Sequence, residues 1–165
     1  STAHLGWILV VTYFAILISV VLFPLPINQT AIDYGRWRTQ NGLGPRNNWT
    51  LFSTLDNTVG TANFIRQIGG NFLLFAPLGS LLTLVAPRWN QRRILFSIFL
   101  TSVLCEITQL ATNTAYGFQL RSFDVDDIWL NLLGGCSGLL ATKLLITLWP
   151  GIETWARRHK AAIIQ

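Results

Sequence analysis

The chain is poor in charge, in cysteine and in histidine. Only 12% of its 165 residues are Asp, Glu, Lys or Arg, about half the share of an average soluble domain. The two cysteines, Cys105 and Cys136, form no Cys-x-x-Cys pair, and the two histidines lie near opposite ends of the chain. No Walker motif, Gly-x-Ser-x-Gly or metal-binding His pair is present. The sequence therefore lacks the usual motifs of a nucleotide-binding enzyme, a serine hydrolase and a zinc or redox site.

Apolar residues are abundant instead, at 51% of the chain, and they are concentrated in four segments, residues 5–23, 69–86, 94–112 and 125–149. Each segment is close to the roughly 20 residues that an α-helix needs to cross a bilayer. The pattern predicts a single all-α membrane domain over residues 1–165, with four transmembrane helices and a long extracytoplasmic stretch, residues 24–68, after the first. The first segment is expected to be an anchor, because no basic region precedes it and no Ala-x-Ala-like cleavage site follows it.

The distribution of basic residues predicts the orientation of these helices, because cytoplasmic loops of membrane proteins are enriched in Lys and Arg. Two regions on the same side of a four-span arrangement carry such clusters: Arg88, Arg92, Arg93, Arg157, Arg158 and Lys160. Both termini are therefore expected in the cytoplasm, and residues 24–68 and 113–124 on the outer side. The basic residues lie at helix ends and do not alternate with aromatics on one polar face. The net charge of +5 therefore does not indicate a nucleic-acid partner.

Several polar side chains lie inside the apolar segments, where an ionisable group costs roughly 2.5–3.5 kcal/mol on insertion scales and normally faces a protein interior. Residues three and four apart share a helix face, so Glu106 and Gln109 form one polar stripe. Asp124, Asp127 and Asn131 form another. All lie toward the outer ends of their helices, so a site there is predicted to face the exterior. The candidate ligand-binding residues are Asn71, Glu106, Gln109, Arg121, Asp124, Asp127 and Asn131.

Most of these residues also have a purely structural interpretation. Asp124 and Asp127 lie at a helix start, where a carboxylate caps the helix and interacts favourably with its dipole. Asn71 and Asn131 are suited to hydrogen bonds between helices. Both interpretations stay open beside the functional one.

Glu106 is the residue that a structural role explains least, because it lies too far inside its helix for capping or for reaching the membrane surface. Its remaining structural interpretation is an ion pair with Arg121 or Arg66. Asp126 is predicted to point away from the other acidic residues. Beyond Asn131 the same side of the fourth segment consists of small residues, which predicts close helix packing and a central position in the bundle: Gly134, Gly135, Gly138 and Thr142.

Three spaced motifs resemble those of the VanZ-like family of membrane proteins. Residues 70–79 (GNFLLFAPLG) resemble its GN-x-x-x-F-x-P-x-G signature, and residues 105–109 (CEITQ) resemble its E-x-x-Q element. Residues 121–135 (RSFDVDDIWLNLLGG) resemble its R-x-x-D-x-x-D-I-x-x-N-x-x-G-G element. The resemblance covers about residues 69–145 and implies a small integral protein of the bacterial cytoplasmic membrane. The family's founding member is associated with resistance to the glycopeptide teicoplanin.

Three functions remain open. A binding protein would hold a cell-envelope amphiphile, namely a lipid-linked wall precursor, a lipid head group or a lipoglycopeptide, with Arg121 pairing with its phosphate or carboxylate. An enzyme acting on phosphorylated lipid head groups would bind Mg²⁺ or Mn²⁺ through Asp124 and Asp127, with Glu106 and Asn131 as further oxygen ligands. Its catalytic residues would be Glu106 and Asp127. In a scaffold, the polar residues would only lock the bundle. We expect the binding protein, and an oligomer is compatible with it. A contribution to glycopeptide resistance is what the family resemblance implies.

Overall fold

The computed structural model of the protein describes residues 2–54 and 65–149. Within these ranges the regular structure is helical, and the extended pairing is limited to a parallel bridge between Asn48 and Asp124. Five α-helices lie in the described ranges: α1 Thr2–Leu22, α2 Gln29–Gln40, α3 Gly70–Val85, α4 Gln91–Tyr116 and α5 Val125–Leu148. A π-helical turn, Ile65–Gly69, leads directly into α3. The all-α prediction is confirmed.

Among the described residues, three helical stretches are long and apolar enough to cross a membrane: Ile65–Val85, Gln91–Tyr116 and Val125–Leu148. The apolar part of α1, Gly6–Leu22, is shorter. The second, third and fourth predicted segments therefore coincide with membrane-length helices, as expected of a multi-pass membrane protein. The four-span topology and its orientation stay predictions.

Capping residues explain where α4 begins and ends and where α5 begins. The Asn90 side chain accepts a hydrogen bond from the Arg93 N–H at 2.9 Å, which satisfies a free donor at the start of α4. The helix ends at Gly117, whose φ of 71° is the left-handed conformation that glycine adopts without strain. Helix α4 is therefore longer at both ends than the predicted segment, residues 94–112. Asp124 caps α5 by accepting a hydrogen bond from a backbone N–H at 2.9 Å.

Helix α5 packs its glycines directly against the backbone of α3. A Cβ atom added at Gly138 would lie 1.9 Å from the Ala76 carbonyl oxygen. One added at Gly79 would lie 1.8 Å from the Gly135 carbonyl oxygen. A side chain at these positions would therefore push the helices apart. The prediction from the small residues is confirmed, and α5 is the most buried of the three membrane-length helices.

Helix α1 joins the bundle along one face. Its Leu17 and Val21 belong to a buried core that also contains Phe75 of α3, Ile98 of α4 and Leu139 of α5. The opposite face of α1 exposes large apolar side chains, as expected of a helix in contact with lipid: Trp7, Ile8, Val11, Ile16 and Val20. The C-terminal end of α1 is thereby held beside α3 and α4, where the candidate site lies.

The long stretch after α1 contains structure that the sequence analysis missed. Helix α2 begins where the Asn28 side chain accepts a hydrogen bond from the Ala31 N–H at 2.8 Å. Gly35 of α2 lies against Phe118, since a Cβ there would come within 2.1 Å of the ring. The helix escaped prediction because it buries no residue and so has no apolar face. Residues 55–64 of this stretch, and the basic residues of the C-terminal tail, lie outside the described residues.

Candidate functional site

A cavity of about 440 Å³ lies where the end of α1, the π-helical turn, the start of α3, the second half of α4 and the start of α5 meet. The residues of the predicted set that line it are Asn71, Glu106, Gln109, Arg121, Asp127 and Asn131. Asp124, the seventh of the set, does not line the cavity. The helical spacing in the sequence and the packing of the bundle therefore bring six of the seven candidates to one place.

Glu106 is 2% exposed and lies on the α4 wall of the cavity. Its Oε2 atom accepts a hydrogen bond from the Asp124 backbone N–H at 2.9 Å, which ties α4 to the start of α5. No described residue donates to its other oxygen, Oε1. Gln109, one turn further along α4, lines the cavity and makes no side-chain hydrogen bond to a described residue. This wall of the cavity therefore keeps free hydrogen-bonding capacity.

Asn71 and Asp127 connect the other two cavity helices. The Asn71 side-chain amide donates to the Asp127 Oδ1 atom, which joins the start of α3 to the start of α5. The structural interpretation of Asn71 as an inter-helix contact is therefore correct, and the residue lines the cavity as well.

Asn131 contains the clearest unpaired polar atom of the site. The Ser102 hydroxyl donates to the Ile128 carbonyl oxygen at 3.4 Å, so it accepts from the Asn131 amide nitrogen at 3.0 Å. This arrangement leaves the Asn131 Oδ1 atom without a partner among the described residues, although the side chain is only 4% exposed. Ser102 was not predicted as a site residue, although its position four residues before Glu106 places it on the same helix face.

Protein donors occupy the acceptor positions of the Asp124 carboxylate. Its Oδ1 atom accepts from the Asn48 amide at 2.7 Å and from the Asp126 N–H at 2.9 Å. Its Oδ2 atom accepts from the Thr54 hydroxyl at 2.9 Å and from the Gln67 amide at 3.0 Å. A carboxylate has about four acceptor positions, so these four bonds use them all. Asp124 is a helix cap, as its structural interpretation predicted, and it also joins the outer stretch to α5, which was not predicted.

The predicted metal ligands do not form a cluster. Asp124 has no free acceptor position, and of the predicted pair only Asp127 lines the cavity. Within residues 2–54 and 65–149, no group of three or more His, Cys, Asp or Glu side chains is placed to hold a metal ion. The predicted pair, Asp124 and Asp127, therefore does not form a Mg²⁺ or Mn²⁺ site, because one of its two carboxylates is occupied by protein donors and lies outside the cavity lining.

Asp126 points away from the cavity, as predicted, but sequence analysis missed what it does there. It is 0% exposed, and its carboxylate accepts from the backbone N–H groups of Phe52 at 2.6 Å and Thr54 at 2.8 Å. The indole N–H of Trp129 donates to the same carboxylate at 3.0 Å, and the Asn48 amide donates to it at 3.3 Å. Asp126 therefore anchors the outer stretch to the start of α5.

The two arginines at the cavity do not neutralise Glu106. Among the described residues, the recorded ion pair is an exposed one between Arg36 and Asp33, at 3.8 Å. Arg121 instead donates to the carbonyl oxygens of Val20, at 3.2 Å, and of Phe23. These carbonyls lie at the end of α1, where a cation is favoured. The ion pair considered for Glu106 is therefore not formed, and Arg121 holds the end of α1 over the cavity.

Comparison with known proteins agrees with the motifs that line this cavity. The model of the family described as VanZ/LLP1 matches residues 10–146, which include all seven predicted site residues. Neither the search of the curated proteins nor that of the solved structures found a match. The matched region runs from α1 to the end of α5 and covers most of the chain. The chain belongs to the VanZ/LLP1 family.

Proposed function

We propose that the cavity binds the head group of a cell-envelope amphiphile, and that the head group supplies hydrogen-bond donors. One observation carries this proposal: Asn131 Oδ1 has no donor among the described residues, although it is buried in the cavity wall. Buried polar groups almost always have partners, and one left without a partner costs about 1–3 kcal/mol. A ligand N–H or O–H group that donates to this atom removes that cost.

The charge around this atom favours a cationic or hydroxyl-rich head group. Glu106 and Asp127 both line the cavity, and no described basic residue forms an ion pair with either. An ammonium group or a sugar hydroxyl donates to carboxylate and amide oxygens alike. Arg66, also in the lining, makes no side-chain hydrogen bond to a described residue and suits a phosphate of the same head group.

These requirements are met by a lipid-linked wall precursor, by an amine-bearing phospholipid and by a lipoglycopeptide. The basic-residue distribution supports a location in the bacterial cytoplasmic membrane with both termini in the cytoplasm and the cavity facing the exterior. Retention of such amphiphiles at the outer leaflet would contribute to glycopeptide resistance, of which teicoplanin resistance is the case that the family resemblance suggests.

The alternative function, a divalent-metal-dependent enzyme acting on phosphorylated lipid head groups, receives less support. Of its predicted ligands, Asp124 does not line the cavity, and four protein donors already occupy that carboxylate. No observation in the described residues favours it over binding.

Native mass spectrometry combined with elemental analysis tests the proposal. The full chain is extracted from bacterial membranes in a gentle detergent, as wild type, as Glu106→Gln and as the control Asp33→Asn. Asp33 suits the control because it is an exposed carboxylate of α2 that does not line the cavity. We expect a stoichiometric amphiphile in the wild type and in Asp33→Asn, and its loss from folded Glu106→Gln.

Equal retention by all three proteins would contradict binding at the cavity. A stoichiometric divalent metal that disappears in Asp127→Asn would replace the proposal with the enzyme. A wild type that retains neither amphiphile nor metal would favour the scaffold.

A further inference from the structure

An apolar groove of about 210 Å³ lies between α1 and α4, directly beside the polar cavity. Val21 and Cys105 line both the groove and the cavity, so the two spaces adjoin. The other walls of the groove come from both helices, chiefly Phe14, Leu17, Ile18, Thr101, Leu104 and Thr108. No charged side chain of the described residues lines it.

The groove presents a hydrocarbon surface even at its two threonines. The Thr101 hydroxyl donates to the Ser97 carbonyl oxygen at 2.8 Å, and the Thr108 hydroxyl donates to the Leu104 carbonyl oxygen at 2.7 Å. Both hydroxyls are therefore satisfied within α4. In contrast to the cavity, the groove has no side-chain hydroxyl among its described lining residues that lacks a partner.

The groove is also reached from the lipid side of the bundle. Ile18 on one wall and Leu104 on the other are each 53% exposed. A hydrocarbon chain can therefore enter it from the bilayer without passing through water. Transfer of a chain from lipid to an apolar protein surface gains little by itself, because lipid tails are as apolar as the groove. Any preference of the groove for a particular chain therefore comes from the groove's position beside the cavity and from its shape.

We propose that the groove binds an acyl chain of the same amphiphile whose head group occupies the cavity, with the junction between them at Val21 and Cys105. This inference rests on the proposed function, because a chain held here without a head group in the cavity would be an ordinary bilayer contact. A lipid has a polar head group joined to an apolar chain. The polar cavity, which contains an unpaired acceptor, adjoins the apolar groove in the same way. A free sugar or a free amine would leave the groove unused.

Photocrosslinking tests this inference on the full chain. The probe is a lysophosphatidylethanolamine with a diazirine on its acyl chain, since its ammonium group supplies the donors and its phosphate suits Arg66. After irradiation, adducts are mapped to residues by peptide mass spectrometry. We expect adducts concentrated on the groove walls of α1 and α4.

Leu104→Trp fills the groove and should reduce these adducts on the order of tenfold. The matched control is Leu144→Trp, which changes a leucine of similar exposure, 58%, on α5 outside the groove lining. It should leave the groove adducts unchanged. Ile18→Trp, on the opposite wall, repeats the test if Leu104→Trp does not fold.

Adducts spread evenly over the lipid-facing helices, with Leu104→Trp equal to Leu144→Trp, would overturn the inference. Glu106→Gln distinguishes this failure from failure of the proposed function. If Glu106→Gln loses the co-purified head group while adducts are evenly spread, head-group binding stands and the groove inference fails. If the wild type retains no amphiphile and Glu106→Gln changes neither measurement, both fail.

Discussion

Two pairs of acidic residues lie within a short distance of each other and differ in how fully they are hydrogen-bonded. Asp124 and Asp126 each accept four hydrogen bonds from protein groups. Glu106, by contrast, accepts one hydrogen bond from a described residue, the Asp124 N–H. Asp127 accepts one from Asn71, and the Gln67 side chain also lies beside it. The first pair, which we call the clamp pair, holds the outer stretch on α5. The second, the cavity pair, keeps capacity for a ligand.

This difference shows that the role of an acidic residue in this bundle depends on how many protein N–H and O–H groups donate to its carboxylate. Its position in a motif does not decide the role. Asp126 and Asp127 are adjacent in sequence, and helical geometry turns them about 100° apart. One therefore faces the outer stretch and the other faces the cavity. A buried carboxylate with four donors contributes to stability, whereas one left with spare acceptor positions is better suited to binding.

The largest expected effect comes from breaking the clamp pair. Asp126→Ala removes the acceptor of the Phe52 and Thr54 backbone N–H groups and should lower the free energy of unfolding by about 3 kcal/mol. Thermal unfolding in detergent measures the change, and limited proteolysis reports release of the outer stretch. The control Asp33→Ala, at an exposed carboxylate, should change stability by less than about 0.5 kcal/mol. Equal effects of the two substitutions would show that the clamp pair is not structural.

A smaller effect on stability, with a larger one on binding, is expected for the cavity pair. Asp127→Asn keeps an oxygen for the Asn71 amide, so stability should stay within about 1 kcal/mol of wild type. Affinity for lysophosphatidylethanolamine should fall about tenfold, because one negative charge is lost. The matched substitution Asp124→Asn replaces an acceptor oxygen with an amide N–H group that faces donors. It should lower the free energy of unfolding more than it lowers affinity for the lipid. Loss of stability in Asp127→Asn without loss of binding would instead favour the scaffold.

The smallest expected change in stability comes from removing the unpaired oxygen itself. The double variant Ser102→Ala/Asn131→Leu replaces both partners of one hydrogen bond with apolar groups, which is often nearly neutral. Its unfolding free energy should lie within about 1 kcal/mol of wild type, whereas Ser102→Ala alone should cost more because the Asn131 amide is then left unpaired. Ligand retention, measured by native mass spectrometry, should fall in the double variant. Full retention would show that Asn131 Oδ1 does not contact the ligand.

The cavity residues could be predicted from the sequence because the pattern that identifies them lies within single helices. Polar residues three and four apart within an apolar helix identify one face, and Glu106, Gln109 and Asn131 were found in this way. Helix α2 was not found, because a polar helix on the surface has no periodic apolar pattern. The partners of Asp126 were not found either, because they follow from no pattern in the residues around it.

The sequence by itself determined the membrane-length helices, the glycine-rich contact face of α5 and the residues that meet at the cavity. These follow from hydropathy, helical period and side-chain size, which act within one segment. Only the tertiary structure decided which carboxylates are fully hydrogen-bonded to protein donors and which keep acceptor positions for a ligand. The reason is distance along the chain: the backbone donors of Asp126 lie 74 and 72 positions away, and its role depends on where the outer stretch folds back.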